Sequence, residues 1–137
     1  MKEKTNISMD INKSEFLKML SAYYTEELGK KVEVKVNLTS ELRGYGYGEY
    51  EEAVTEFYFT NDSNVGPVKV RVTTTLNDDD IKKALDNILG KLDYSVESLE
   101  YKTGISTVGY YMDEHDEPYF SGVTLKLQEK GIKKVLN

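Results

Sequence analysis

The sequence predicts a single-domain α+β fold, two helices packed on antiparallel sheet in the order αβββαβββ. Three observations carry this. Two segments repeat apolar residues at helical spacing, several others alternate apolar and polar residues, and Gly, Asn, Asp and Pro clusters separate the strand-like pieces. At 137 residues the chain is long enough for one ordinary domain, burying roughly two-thirds of the surface its unfolded form exposes.

The first helix is predicted in NKSEFLKMLSAYYTEELG, where Phe16, Leu17, Leu20, Tyr23, Tyr24 and Leu28 share a stripe. Asn12 and Glu15 form a cap pair and Gly29 supplies the stop. KVEVKVNL then switches to period two, with Val32, Val34, Val36 and Leu38 opposed to Glu33, Lys35 and Asn37. AVTEFYFT sets Ala53, Thr55, Phe57 and Phe59 on one face, and NDSNVGP is a turn. VKVRVTTTL alternates Val68, Val70, Val72 and Leu76 with Lys69 and Arg71. The second helix is predicted in NDDDIKKALDNILGKL. There Asn77 caps, Asp78 to Asp80 complement the helix dipole, and Ile81, Ala84, Leu85, Ile88, Leu89 and Leu92 form the apolar stripe. YSVESLEYK, ISTVGYYM and PYFSGVTLKL read as three further strands, with DEHDE as a charged hairpin tip. The tail EKGIKKVLN carries either a helical turn or a frayed end. Both halves, 12–76 and 77–128, thus read as helix then three strands, the pattern of an internal duplication.

Composition narrows the function. The longest apolar runs are far too short for a membrane helix and the opening MKEKTNISMDINK has no signal-like stretch, so the expectation is a cytoplasmic protein. Without cysteine there is no thiolate nucleophile or sulfur ligand for a metal. His115, the single histidine, sits among acids that miss the calcium-loop spacing, and no serine elbow or phosphate loop is present. The reading is a non-enzyme needing neither cofactor nor metal. A net charge of −6 disfavours general affinity for nucleic acid and favours a basic protein partner.

The segment ELRGYGYGEYEE supplies the candidate contact surface. Glycines let its backbone conform to a partner, and tyrosines give contact area at low entropic cost. Tyr45, Tyr47 and Tyr50 are the expected anchors and Glu49, Glu51 and Glu52 the expected charge partners. In a three-stranded meander the end of the third strand lies at the same edge as this segment, which brings in Asp78, Asp79 and Asp80. The alternative is a nucleic-acid binder using Lys35, Lys69 and Arg71 on the open sheet face with Tyr58 stacking, or the tail lysines Lys126, Lys130, Lys133 and Lys134. Self-association through exposed strand edges is a third possibility.

Residues 12–92, αβββα, resemble the double-stranded RNA-binding domain in topology. That family grips phosphates with basic residues at the start of its second helix, where this chain has Asp78, Asp79 and Asp80. In being short, cysteine-free, acidic and tyrosine-rich, the whole chain also resembles the small accessory proteins of bacteriophages and mobile elements, anti-CRISPR proteins above all. That resemblance implies an inhibitor that presents carboxylates to a nuclease where phosphates would lie.

Overall fold

The computed structural model describes residues 6–44, 48, 50–109 and 114–129, with backbone alone at 40–43, 50–53 and 115. The elements run β1 (Ile7–Asn12), α1 (Lys13–Leu28), β2 (Lys35–Arg43), β3 (Tyr50–Val65), β4 (Val68–Leu76), α2 (Asp78–Gly90), β5 (Tyr94–Val108) and β6 (His115–Glu129). Two antiparallel sheets result, one ordered β1-β6-β5 and the other β2-β3-β4.

The α+β class, both helices and the count of six strands follow the sequence expectation, with one rearrangement. YSVESLEYK and the first half of ISTVGYYM form a single strand, β5, and the sixth strand is Ile7–Asn12, ahead of the first helix. Ile7 to Asn12 pairs with Leu127 to Gly122, so β5, β6 and β1 form a three-stranded sheet following α2, as β2, β3 and β4 do following α1. Taken as a ring, the order is αβββαβββ. The third strand of the second set is supplied by residues before the first helix.

Both helix starts carry the expected caps. The Asn12 side chain accepts from the Glu15 amide at 2.8 Å while Glu15 accepts from the Asn12 amide at 3.2 Å. Asn77 and Asp80 exchange the same pair at 2.8 and 3.0 Å. These reciprocal bonds satisfy amides that have no partner within the helix. Gly29 closes α1 in the left-handed region at φ 70°, which glycine enters without steric cost, and its N–H donates to the Thr25 carbonyl. Leu92, expected in the apolar stripe, falls outside the helix because α2 ends at Gly90, and it is exposed.

The core draws on every element. Phe16, Phe57 and Phe120 pack with ring centroids 5.2 to 6.0 Å apart, joining α1 to one strand of each sheet, and Tyr101 completes the cluster. Leu20, Ile81, Ala84, Leu85, Val96, Val123 and Leu125 surround it, nearly or wholly sealed from solvent. Gly122 stands opposite Asn12 at the end of the β1-β6 ladder. A Cβ there would collide with the Ile11 carbonyl, so only glycine permits the close backbone approach.

Val32 and Val34 are buried as expected, although residues 31–34 make no strand ladder. Hydroxyls of α1 replace the missing neighbour. The Val34 amide donates to Ser21 Oγ at 2.8 Å, the Val32 amide donates to Thr25 Oγ1 at 2.9 Å, and Thr25 Oγ1 donates to the Val32 carbonyl at 3.2 Å. The opposite outcome holds for β4. Leu76 is buried, but Val68, Val70 and Val72 are exposed by 58, 37 and 53%, so the face predicted to be covered is open over most of its length.

Candidate functional site

The stagger of the β2-β3-β4 sheet sets the geometry of every candidate surface. β2 pairs with the first half of β3 and β4 with the second, so all three strands lie side by side only at Phe57 and Tyr58. Away from that point β3 carries a single neighbour. One two-stranded ribbon runs from Phe57 back to Tyr50 opposite Arg43, and another runs out to Val65 opposite Val68.

The first ribbon holds the acidic segment. The register seats Tyr50 opposite Arg43, Glu51 opposite Leu42 and Glu52 opposite Glu41. Tyr45, Tyr47 and Glu49 lie outside the described residues. Asp78 to Asp80 do not end beside Tyr50. β4 stops at Leu76, opposite Phe57, and Tyr50 lies seven residues further along β3. At 3.3 Å per residue that is about 23 Å of strand. The expectation of one shared edge overlooked this stagger.

The three aspartates have structural work at the start of α2. Asp80 is the return half of the capping pair, and its backbone carbonyl accepts from the Tyr24 hydroxyl at 3.5 Å. Asp78 accepts from the Tyr101 hydroxyl at 3.1 Å, which ties the helix to β5. Burial, then the adjacent Asp78 charge, pushes the Tyr101 hydroxyl well above the ordinary tyrosine value. Burial and the nearby Asp80 charge likewise raise Tyr24 to about 12. Asp79 is exposed.

The residues of the alternative reading do share a face. Lys35 stands opposite Tyr58, Tyr58 opposite Thr75, and Asp62 opposite Arg71, so all point to the side away from Phe57 and Phe59. Asp62 accepts from Arg71 at 2.9 Å and pairs with Lys69 at 3.5 Å. The hydrogen bond from Arg71 holds the Asp62 carboxyl below the usual range. Lys126 lies on the polar face of β6, while Lys130, Lys133 and Lys134 fall outside the described residues. His115 opens β6 opposite Val108, so part of DEHDE is strand rather than tip. Among the described residues no group of three or more His, Cys, Asp or Glu is placed to hold a metal ion.

One feature had no counterpart in the sequence reading. Between α1 and the approach to β2 lies an open cleft of about 600 Å³, lined by Lys13, Lys18, Lys31 and Lys35 together with Tyr58. Glu33 is the one acid in its lining. Of its lining only Lys35 and Tyr58 stood among the candidate binding residues of the sequence, because the cleft exists through the packing of α1 on residues 31–34. The adjacent Lys30 and Lys31 were the available signal.

No family model, curated protein or solved structure matches this chain.

Proposed function

We propose that the protein is a non-enzymatic interaction module that docks a basic protein surface through the acidic ribbon of β2 and β3. It acts as an inhibitor imitating nucleic acid, in the manner of anti-CRISPR proteins. The observation that carries the reading is the stagger of the sheet. It leaves the backbone of 41–43 paired with 50–52 and with no third strand of the sheet, in a stretch whose sequence sets Glu41, Glu51 and Glu52 against Arg43 alone. Two strands without a third, or without a helix across them, are marginal in water, so a contact surface on a partner is the natural complement to such an extension. The surplus of carboxylates makes that partner cationic and makes encounter fast and dependent on salt.

The test is capture of partners from host lysate on the immobilised chain, with and without nuclease, followed by binding kinetics on the retained protein. The expected partner is basic and survives nuclease treatment. Its association rate should drop roughly tenfold when Glu49, Glu51 and Glu52 all become glutamine, and drop again with added salt. A partner whose binding ignores both changes refutes the reading.

A further inference from the structure

We propose that the cleft between α1 and the start of β2 is a second, separate site that takes a strand of single-stranded nucleic acid. Phosphates rest on Lys13, Lys18, Lys31 and Lys35, and a base lies against Tyr58. The proposal does not depend on the acidic ribbon, which leaves the core in the other direction along β2.

Four lysines line this cleft, on a chain whose net charge is −6, with Glu33 the one acid beside them. That carboxylate does little to offset them, since Glu33 approaches Lys35 only to 3.9 Å and both side chains are more than half exposed. Like charges gathered at one place repel, and a bound polyanion relieves the repulsion. The cleft is also held in shape before anything binds. Ser21 Oγ donates to the Leu17 carbonyl at 2.6 Å and accepts from Val34, fixing residues 31–34 against α1 under the lysine rim. Leu17, Val32, Val34 and Val36 give it an apolar lining.

Lysine binds phosphate as a point charge, which suits phosphates presented at varying angles along a chain. The cleft's open form suits a chain passing through rather than a small molecule enclosed. Beyond Tyr58 the same sheet face continues through Thr73 to Arg71, where Asp62 holds the guanidinium in place. A strand leaving the cleft along this face therefore meets positive charge again. An aromatic platform within a cationic groove is the usual basis of sequence-tolerant single-strand binding.

Fluorescence anisotropy with a labelled eight-nucleotide oligothymidine tests the proposal, beside a mononucleotide and an acidic peptide of matched charge. The oligonucleotide should bind with a log affinity against log salt slope of about −2 to −3, as three or four phosphate contacts require. Combined Lys13→Gln, Lys18→Gln and Lys31→Gln should weaken binding at least tenfold and bring the slope to about −0.7. Tyr58→Leu should weaken it about tenfold and leave the slope unchanged. The three lysines are exposed, so circular dichroism should show these variants folded. Absence of binding overturns the proposal, as does a mononucleotide or peptide bound as tightly as the oligonucleotide, or affinity indifferent to the three lysines.

Discussion

Val34 and Val70 occupy equivalent places in two stretches that alternate valine with charge, yet Val34 is 2% exposed and Val70 is 37% exposed, with Val68 and Val72 more open still. The difference does not lie in the strands themselves. Val34 is covered because α1 lies beside it and lends hydroxyls to the backbone on either side. Val68, Val70 and Val72 continue the face that begins with Leu76 and Phe59, but they extend past the helices, on a ribbon with one neighbour. The molecule is therefore a small hub of helices and aromatic rings from which β-ribbons extend. Stability resides in the hub, and surface for contact resides in the ribbons.

Substitutions on the two sides of that division should separate widely. Phe57→Ala removes the ring that touches Phe16, Tyr101 and Phe120 and should lower unfolding free energy by about 3 to 5 kcal/mol in denaturant titration. Val34→Thr keeps the shape but buries a hydroxyl, for a loss of about 1 to 3 kcal/mol. Asn77→Ala removes the cap of α2 and should cost about 1 kcal/mol. Val70→Thr, the same change as at Val34 but on the open ribbon, should move stability by less than about 0.5 kcal/mol. Equal losses for the two valine changes would erase the comparison.

A smaller and slower readout comes from alkaline titration. Tyr24 and Tyr101 have raised values in the folded chain, so the folded state holds their protons where the unfolded state has begun to release them. Their contribution to stability is complete below the ordinary tyrosine value near pH 10 and disappears as pH rises past the folded values. Ultraviolet absorbance should show Tyr24 and Tyr101 ionising late, with Tyr23 also delayed by its burial, together with loss of the folded circular dichroism signal.

Much of the hub is legible in the sequence because it rests on local rules. Asn12 with Glu15, Asn77 with its helix, Gly29, and the 57 and 59 phenylalanines each declare themselves by spacing and residue type. What was not legible depends on relations between distant segments. Ile7, Met9 and Ile11 alternate, but six residues at the chain's beginning gave no sign that they would complete a sheet with β6. The β2 and β4 stagger is a register property, and it is what separates Asp78 from Tyr50. Asp86 illustrates the same limit. Its helix position suggests solvent, yet it accepts from the Val96 amide at 2.8 Å and so secures the start of β5. The lysine cleft likewise arises only when a helix and a coil ten or more residues apart are laid together.

Amide hydrogen exchange on the free chain tests the division between hub and ribbon most directly. Amides at Phe57 to Phe59 and Val123 to Leu127 should exchange only through global unfolding, while those at 61–65 and 68–72 should exchange by local opening, at least a hundredfold faster. Uniform protection across β3 and β4 would show that the ribbon belongs to the same cooperative unit as the core, and the assignment of contact surface to one and stability to the other would not stand.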